Sequence, residues 1–167
     1  LRIGWFKVHR PAAYYCAYFS VRGDDFRADT MIAPLHRIRG SREELQQRKY
    51  AWTDKDEKTF YLLEIIEEMM ARGIAFLPPD LVKSDATRFM EEAPDRIRPP
   101  LTSLPGLGTH LAAAIVAARN ERPFLSRDDL ARRAGVGSSI LNIMESTGAL
   151  GDLPATSQLD FFSLLGG

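Results

Sequence analysis

The sequence predicts a mainly α chain with a small β element, and three observations carry that prediction. Thr53–Asp56 is a helix-start signal ahead of an amphipathic stretch, with Leu62, Ile65, Ile66, Met69 and Met70 on one side and Glu64, Glu67 and Glu68 on the other. A Gly-hydrophobic-Gly turn leads into an apolar-faced helical segment twice, at 106–108 and again at 135–137. Between these regions, Pro78-Pro79 and Pro99-Pro100 bracket a stretch without helix signals. With 45% hydrophobic and 26% charged residues, a packed core is expected and wholesale disorder is not. A single cysteine, Cys16, excludes a disulfide framework and a Cys-based zinc site. No run approaches the roughly 18 apolar residues of a membrane span. The opening residues lack an initiator Met and the layout of a signal peptide, so the chain reads as cut from something longer.

Taken in order, Leu1–His9 and Ala12–Ser20 read as apolar helical segments, with Pro11 disfavouring one continuous helix. Arg22 to Asp25 reads as a turn whose aspartates cap a helix beginning near Phe26. Ser41 and Glu44 match a capping box and should open a short helix to about Lys49. The amphipathic helix after Thr53 should end at Gly73. Ala86–Met90 and Arg96–Leu101 are expected as short strands joined by a turn at Glu91–Asp95. Pro100–Leu104 is the expected domain boundary, dividing the chain into residues 1–100, 101–152 and a tail, 153–167. From Leu104 to about Leu150 the chain reads as helical again, in short pieces. After Pro154 it turns polar, then aromatic, without a helical period.

Net charge is zero, but its distribution is uneven. Residues 1–22 carry Arg2, Lys7, Arg10 and Arg22 with no acid, and residues 96–139 carry seven Arg against Glu121, Asp128 and Asp129. The segments 23–95 and 140–167 are acidic. Local positive faces, rather than the global sum, are what a phosphate backbone responds to. Leu104 to Ile115 holds the most informative internal pattern. Gly106 and Gly108 let the backbone approach a ligand without a Cβ in the way. The following helix starts with free N–H groups and the positive end of its dipole. Gly106, Leu107, Gly108, Thr109 and His110 therefore form either an anion site or an ordinary turn before a helix. The pattern repeats 29 residues later: Gly135, Val136, Gly137, Ser138 and Ser139 follow the same order, and Ile140, Leu141 and Met144 match the buried positions. Ser126 and Asp129 should cap the helix between the two copies. Arg119, Arg122, Arg132 and Arg133 either add charge to this face or are solvated groups near helix ends.

Other candidates read as structural. Gly23-Asp24-Asp25 imitates a metal-binding carboxylate pair, but it lies between helical segments and reads as a cap. The acids at 64, 67 and 68 read as the solvated face of a helix. His9, His36 and His110 have no partner at metal-ligand spacing, and no nucleophile arrangement is present. Trp5, Phe6, Tyr14, Tyr15, Tyr18 and Phe19 fit core packing at helical spacing better than base stacking.

Two such turns side by side resemble the tandem helix-hairpin-helix domain. That resemblance implies backbone N–H contacts to the phosphates of duplex DNA, without sequence readout. The block from Gly4 to Arg22, including Lys7, Val8, His9 and Pro11 and then Tyr14 to Arg22, resembles the end of the fingers region of bacterial replicative DNA polymerase III α subunits of the PolC type. Pro78 to Asp80, Ser84 to Thr87, Pro105 to Gly108, Phe124 to Ser126 and Gly148 to Leu150 follow in that family's order. The resemblance thus spans the whole chain and implies the C-terminal part of a longer cytoplasmic polymerase, a nucleotidyltransferase. Gln158, Leu159, Phe161 and Phe162 resemble the peptide by which such polymerases hold the sliding clamp, although Ser163–Gly167 extends past the usual end. The implied partners are primer–template duplex, the clamp and the rest of the polymerase chain, with no membrane. No cofactor is expected in this chain. Magnesium is implied for the intact enzyme, on carboxylates outside this sequence, and so this portion is expected to be inactive alone. A rival reading, a free-standing helix-hairpin-helix accessory module, expects residues 1–22 to close into a core without an exposed apolar face.

Overall fold

The computed structural model describes residues 2–156 and 165–166. Helix α1 (Arg2–His9) and helix α2 (Pro11–Arg22) are almost continuous. Pro11 takes the first position of α2, where a missing N–H costs nothing. The Arg10 N–H still donates to Phe6 O at 2.8 Å, and Tyr14 N–H to Arg10 O at 3.0 Å. Asp24 and Asp25 cap no helix. Phe26 N–H closes their turn on Gly23 O (2.9 Å), and the next helix, α3 (Ala28–Met31), begins after Arg27 without a side-chain cap. Phe26 is 3% exposed, and its burial carries the chain out of the turn before a helix can start. The Ser41–Glu44 box does not start a helix either. Helix α4 (Leu35–Gln47) begins behind Pro34 and runs through Ser41, because burying Ile38 draws the preceding turn into the helix.

After a 3-10 turn (Lys49–Ala51), helix α5 (Asp54–Ala71) opens at the expected helix-start signal, which takes the form of a capping box. Thr53 accepts from Asp56 N–H, and Asp56 accepts from Thr53 N–H at 2.9 Å. Gly73, at φ +80°, follows its end. Phe60, Leu62, Leu63, Ile66 and Met69 are buried. The acidic side of α5 is not simply solvated. Glu67 pairs with Arg39 (2.9 Å) and Arg42 (3.1 Å) of α4, while Glu68 pairs with Lys7 of α1 (2.6 Å) and accepts from the Tyr15 hydroxyl of α2 (2.7 Å). The hydrogen bonds from Lys7 and Tyr15 hold Glu68 below the usual carboxylate range. Burial, then the bond to Glu68, pushes Tyr15 up.

A three-stranded sheet follows, in the order β1-β3-β2. Strands β2 (Met90–Ala93) and β3 (Arg96–Arg98) form the antiparallel hairpin the sequence suggests, shifted to a two-residue turn at 94–95. Strand β1 (Ala75–Phe76) pairs in parallel with β3, Phe76 opposite Ile97, and was not legible at two residues' length. Phe19, Phe26, Phe76 and Phe89 make six mutual ring contacts with centroids 4.9 to 6.0 Å apart, joining α2 to the sheet. Gly23 is required beside them: a Cβ there would lie 2.3 Å from Phe19 O.

The C-terminal part comprises a 3-10 turn (Leu101–Ser103) and helices α6 (Thr109–Glu121), α7 (Arg127–Ala134) and α8 (Ser138–Ser146). It shares one buried cluster with the rest, from Ala12 through Ile97, Leu101 and Leu104 to Leu150. Leu81 N–H donates to Ala149 O (2.8 Å), and Arg119 donates to Leu81 O (2.9 Å), docking the three helices on the 78–85 segment. At the other end, Ile3, Trp5, Phe6, Val8 and Val21 are exposed, and a cavity of about 480 Å³ opens between Ile3, Phe6, Tyr14 and Tyr18. No helix among the described residues is long and apolar enough to cross a membrane.

Candidate nucleic-acid interface

The two Gly-hydrophobic-Gly turns have the same backbone. Gly106 and Gly135 occupy the left-handed region, at φ +77° and +73°, which favours glycine at both. Gly108 and Gly137 are extended at −77°, 171° and −76°, 163°, and each stands as N-cap of the next helix. Between them, Leu107 and Val136 are 3% and 4% exposed. They anchor the turns and can offer a ligand only backbone. Gly106, Gly108, Thr109 and His110 are exposed, as are Gly135, Gly137, Ser138 and Ser139. The copies differ in the arm before the turn, which is the 3-10 turn Leu101–Ser103 in the first and α7 in the second.

The decisive polar feature is a set of unsatisfied donors. The first hydrogen bond at the start of α6 runs from Ala112 N–H to Gly108 O (3.0 Å), and in α8 from Leu141 N–H to Gly137 O (3.1 Å). Among the described residues, the amides of Thr109, His110 and Leu111 in α6, and of Ser138, Ser139 and Ile140 in α8, have no backbone partner. Neither helix has a side-chain cap. Helices α5 and α7 differ, with Thr53 and Ser126 capping them. A methyl on Gly106 would lie 3.2 Å from Ile140 Cδ1, so the first turn sits against the start of α8. Two uncapped helix ends, with exposed donors and positive dipole ends, thus adjoin one surface. Such an arrangement suits two phosphate oxygens.

The arginines weighed for this face mostly serve the fold. Arg122, Arg132 and Arg133 converge on Asp129 at 3.2 to 3.3 Å, and Asp129 also accepts from Leu125 N–H (3.2 Å). Burial pushes the Asp129 carboxyl up, but the Leu125 amide, the Arg133 and Arg132 hydrogen bonds and the Arg122 charge hold it below the usual carboxylate range. Arg133 further donates to the carbonyls of Ala118, Arg122 and Pro123 and stacks on Phe124 at 4.8 Å. Arg119 is spent on Leu81 O. Arg132, at 77% side-chain exposure, remains the most available of the four.

Two clefts flank the first turn, and sequence reasoning missed them because their walls come from distant segments. One, of about 450 Å³, is lined by Asp24, Asp25, Lys55 and Gly106 to Gly108. The other, of about 590 Å³, is lined by Asp24, Thr87, Arg88, Thr102, Gly108 and Thr109. Asp24 and Asp25 do not fit a metal centre, since Asp25 faces Lys58 at 3.8 Å and no third acid joins them among the described residues. His9 Nδ1 donates to Trp5 O (2.9 Å) and its ring stacks on the Trp5 ring, His36 is exposed, and neither belongs to a site. Gln158, Leu159, Phe161 and Phe162 lie outside the described residues.

The family model for the helix-hairpin-helix motif matches residues 73–158, more than half of the chain. The chain belongs to the helix-hairpin-helix family. Its matched region begins at the sheet rather than at the first glycine turn. This helix-hairpin-helix chain is also similar to DNA polymerase III PolC-type proteins. That of Streptococcus thermophilus is 40% identical over 164 residues, covering 97% of this chain and 11% of the relative. That of Halalkalibacterium halodurans is 41% identical over 162 residues, with 97% and 11% covered. For Thermotoga petrophila the identity is 42% over 164 residues, with 96% and 12% covered. The chain therefore spans about a tenth of the length of these relatives.

Proposed function

We propose that this chain is the duplex-gripping portion of a bacterial replicative DNA polymerase of the PolC type, with residues 101–152 as the gripping unit. The paired uncapped turns carry this reading. Gly106 to His110 and Gly135 to Ser139 present backbone donors to phosphates of duplex DNA, and base identity is not read. Binding to a phosphate backbone weakens as salt rises. The polymerase context rests on the similarity across 97% of the chain. The exposed apolar face of α1 and α2 also favours it over a free-standing module, for which that face would be closed. Fluorescence anisotropy with labelled primer–template duplex, titrated at several salt concentrations, tests the grip. Binding that prefers duplex over single strands, ignores sequence and weakens with salt is the expected result. A folded, monodisperse sample without duplex affinity at low salt would refute it.

For the tail, we propose that Gln158, Leu159, Phe161 and Phe162 dock on the sliding clamp, the three apolar side chains filling a groove and Gln158 bonding at its rim. Replacing Leu159, Phe161 and Phe162 together by Ala should abolish binding to a purified bacterial clamp while leaving duplex affinity unchanged. Retained clamp binding would refute the assignment. Nucleotide incorporation belongs to the whole polymerase, and the pure 167-residue chain should show none.

A further inference from the structure

Most cations of this chain are already engaged. Among the described residues, Arg22, Arg37, Lys55 and Arg88 have no acid within 4 Å, no hydrogen bond from their charged groups and no aromatic ring beneath them. Two of these four, Lys55 and Arg88, line the clefts on either side of Gly108. Arg88 is the better placed, because its loop is bolted to the first turn. Asp85 accepts from the amides of Thr87 (3.0 Å) and Arg88 (2.9 Å), which shapes the loop around the arginine. Leu101 N–H donates to Asp85 O (2.9 Å) and Thr102 N–H to Ala86 O (3.2 Å), tying that loop to the arm before Gly106. Phe89, buried beside Arg88, donates its N–H to the Ser20 hydroxyl at 3.0 Å. An exposed, unpaired guanidinium is thus held over a rigid base beside the free amides of Thr109 and His110. Leaving it unpaired gives up an ion pair that most arginines among the described residues have.

We propose that Arg88 binds the same strand of nucleic acid as the first turn, gripping the backbone phosphate in the cleft from the side opposite the Gly108–Thr109 amides. Guanidinium is suited to this role, since its fork meets two phosphate oxygens at once. Asp24 lines the same cleft without a cation partner among the described residues, so it opposes the phosphate and weakens the grip. The inference rests on the reading of the turns as phosphate sites and adds a contact from outside the gripping unit.

The test is duplex affinity against salt for the 167-residue chain and four variants, each first checked by thermal melting. Arg88→Gln should weaken binding about 5- to 10-fold at low salt and reduce the steepness of the salt dependence by about one. Arg88→Lys should keep the slope and lose part of the affinity. Asp24→Asn should tighten binding about 2- to 3-fold, a gain that damage to the fold cannot mimic. Gly137→Ser, at a residue that does not line this cleft, reports on the turn reading itself. If Gly137→Ser weakens binding while Arg88→Gln changes neither affinity nor slope, the turns hold phosphate and the assignment of Arg88 is wrong. If neither variant weakens binding, the turn reading falls and the Arg88 contact falls with it.

Discussion

Serine at the two N-cap glycines should make this protein more stable and a poorer DNA binder. Gly108 and Gly137 have φ near −77°, which any residue adopts, and a Cβ at either position meets nothing within 4 Å. A serine hydroxyl there can accept from the second or third amide of the helix, at His110 or Leu111 in α6 and at Ser139 or Ile140 in α8. Serine caps better than glycine by a few tenths of a kcal/mol, and losing a glycine from the unfolded chain adds about 0.4–1 kcal/mol. Each substitution should then stabilise by about 0.5–1.5 kcal/mol, which raises Tm by roughly 1–5 °C for a chain of this size. The same bond removes a donor from the phosphate. A hydrogen bond to a charged group is worth about 1.5–3 kcal/mol, so duplex affinity should fall roughly 10- to 150-fold per turn. Gly135→Ala is the contrasting control: at φ +73° it should cost about 1 kcal/mol through strain alone. Thermal melts and anisotropy on the same samples read both quantities. A rise in Tm with unchanged duplex affinity would refute the claim that these amides hold phosphate. A fall in Tm would refute the cap geometry.

Two further outcomes follow from the packing. Leu107→Ala, at a side chain 3% exposed, should cost about 2–5 kcal/mol and lower Tm by roughly 5–20 °C, and its duplex binding should weaken as the turn loosens; a melt like that of the parent would show that the turn is not anchored there. Glu68 has a folded pKa held below its unfolded value of roughly 4.3, so its contribution is complete above that pH and disappears as pH falls through the lower folded value. Glu68→Gln should therefore melt below the parent at pH 6, with the difference shrinking toward pH 3; a gap independent of pH would rule out the charged pairing with Lys7 and Tyr15.

Local chemistry was legible wherever it acted alone. The Thr53–Asp56 helix start, the helix end at Gly73 and both glycine turns appear where the residues place them, because a cap or a positive φ is decided within a few positions. Signals of the same kind at Asp24, Asp25 and Ser41 failed, since burial of Phe26 and Ile38 outweighs a cap. Strand β1 was invisible because two residues carry no period, and its partner lies some twenty positions away. Of the site, the amides were readable and the arginines were not. Arg133 looks like any basic residue near a helix end until Asp129 and Phe124 are found beside it. Arg88 looked unremarkable until the fold placed it at Gly108.

The central claim is that the free amides at the starts of α6 and α8 meet DNA phosphates. Nitrogen-15 amide NMR of the 167-residue chain, titrated with a short duplex at low salt, addresses it residue by residue. The largest shifts are predicted at Thr109, His110, Leu111, Ser138, Ser139 and Ile140, reversed by added salt. Shifts confined to α4 and α5, with those six amides unmoved under saturating duplex, would contradict it.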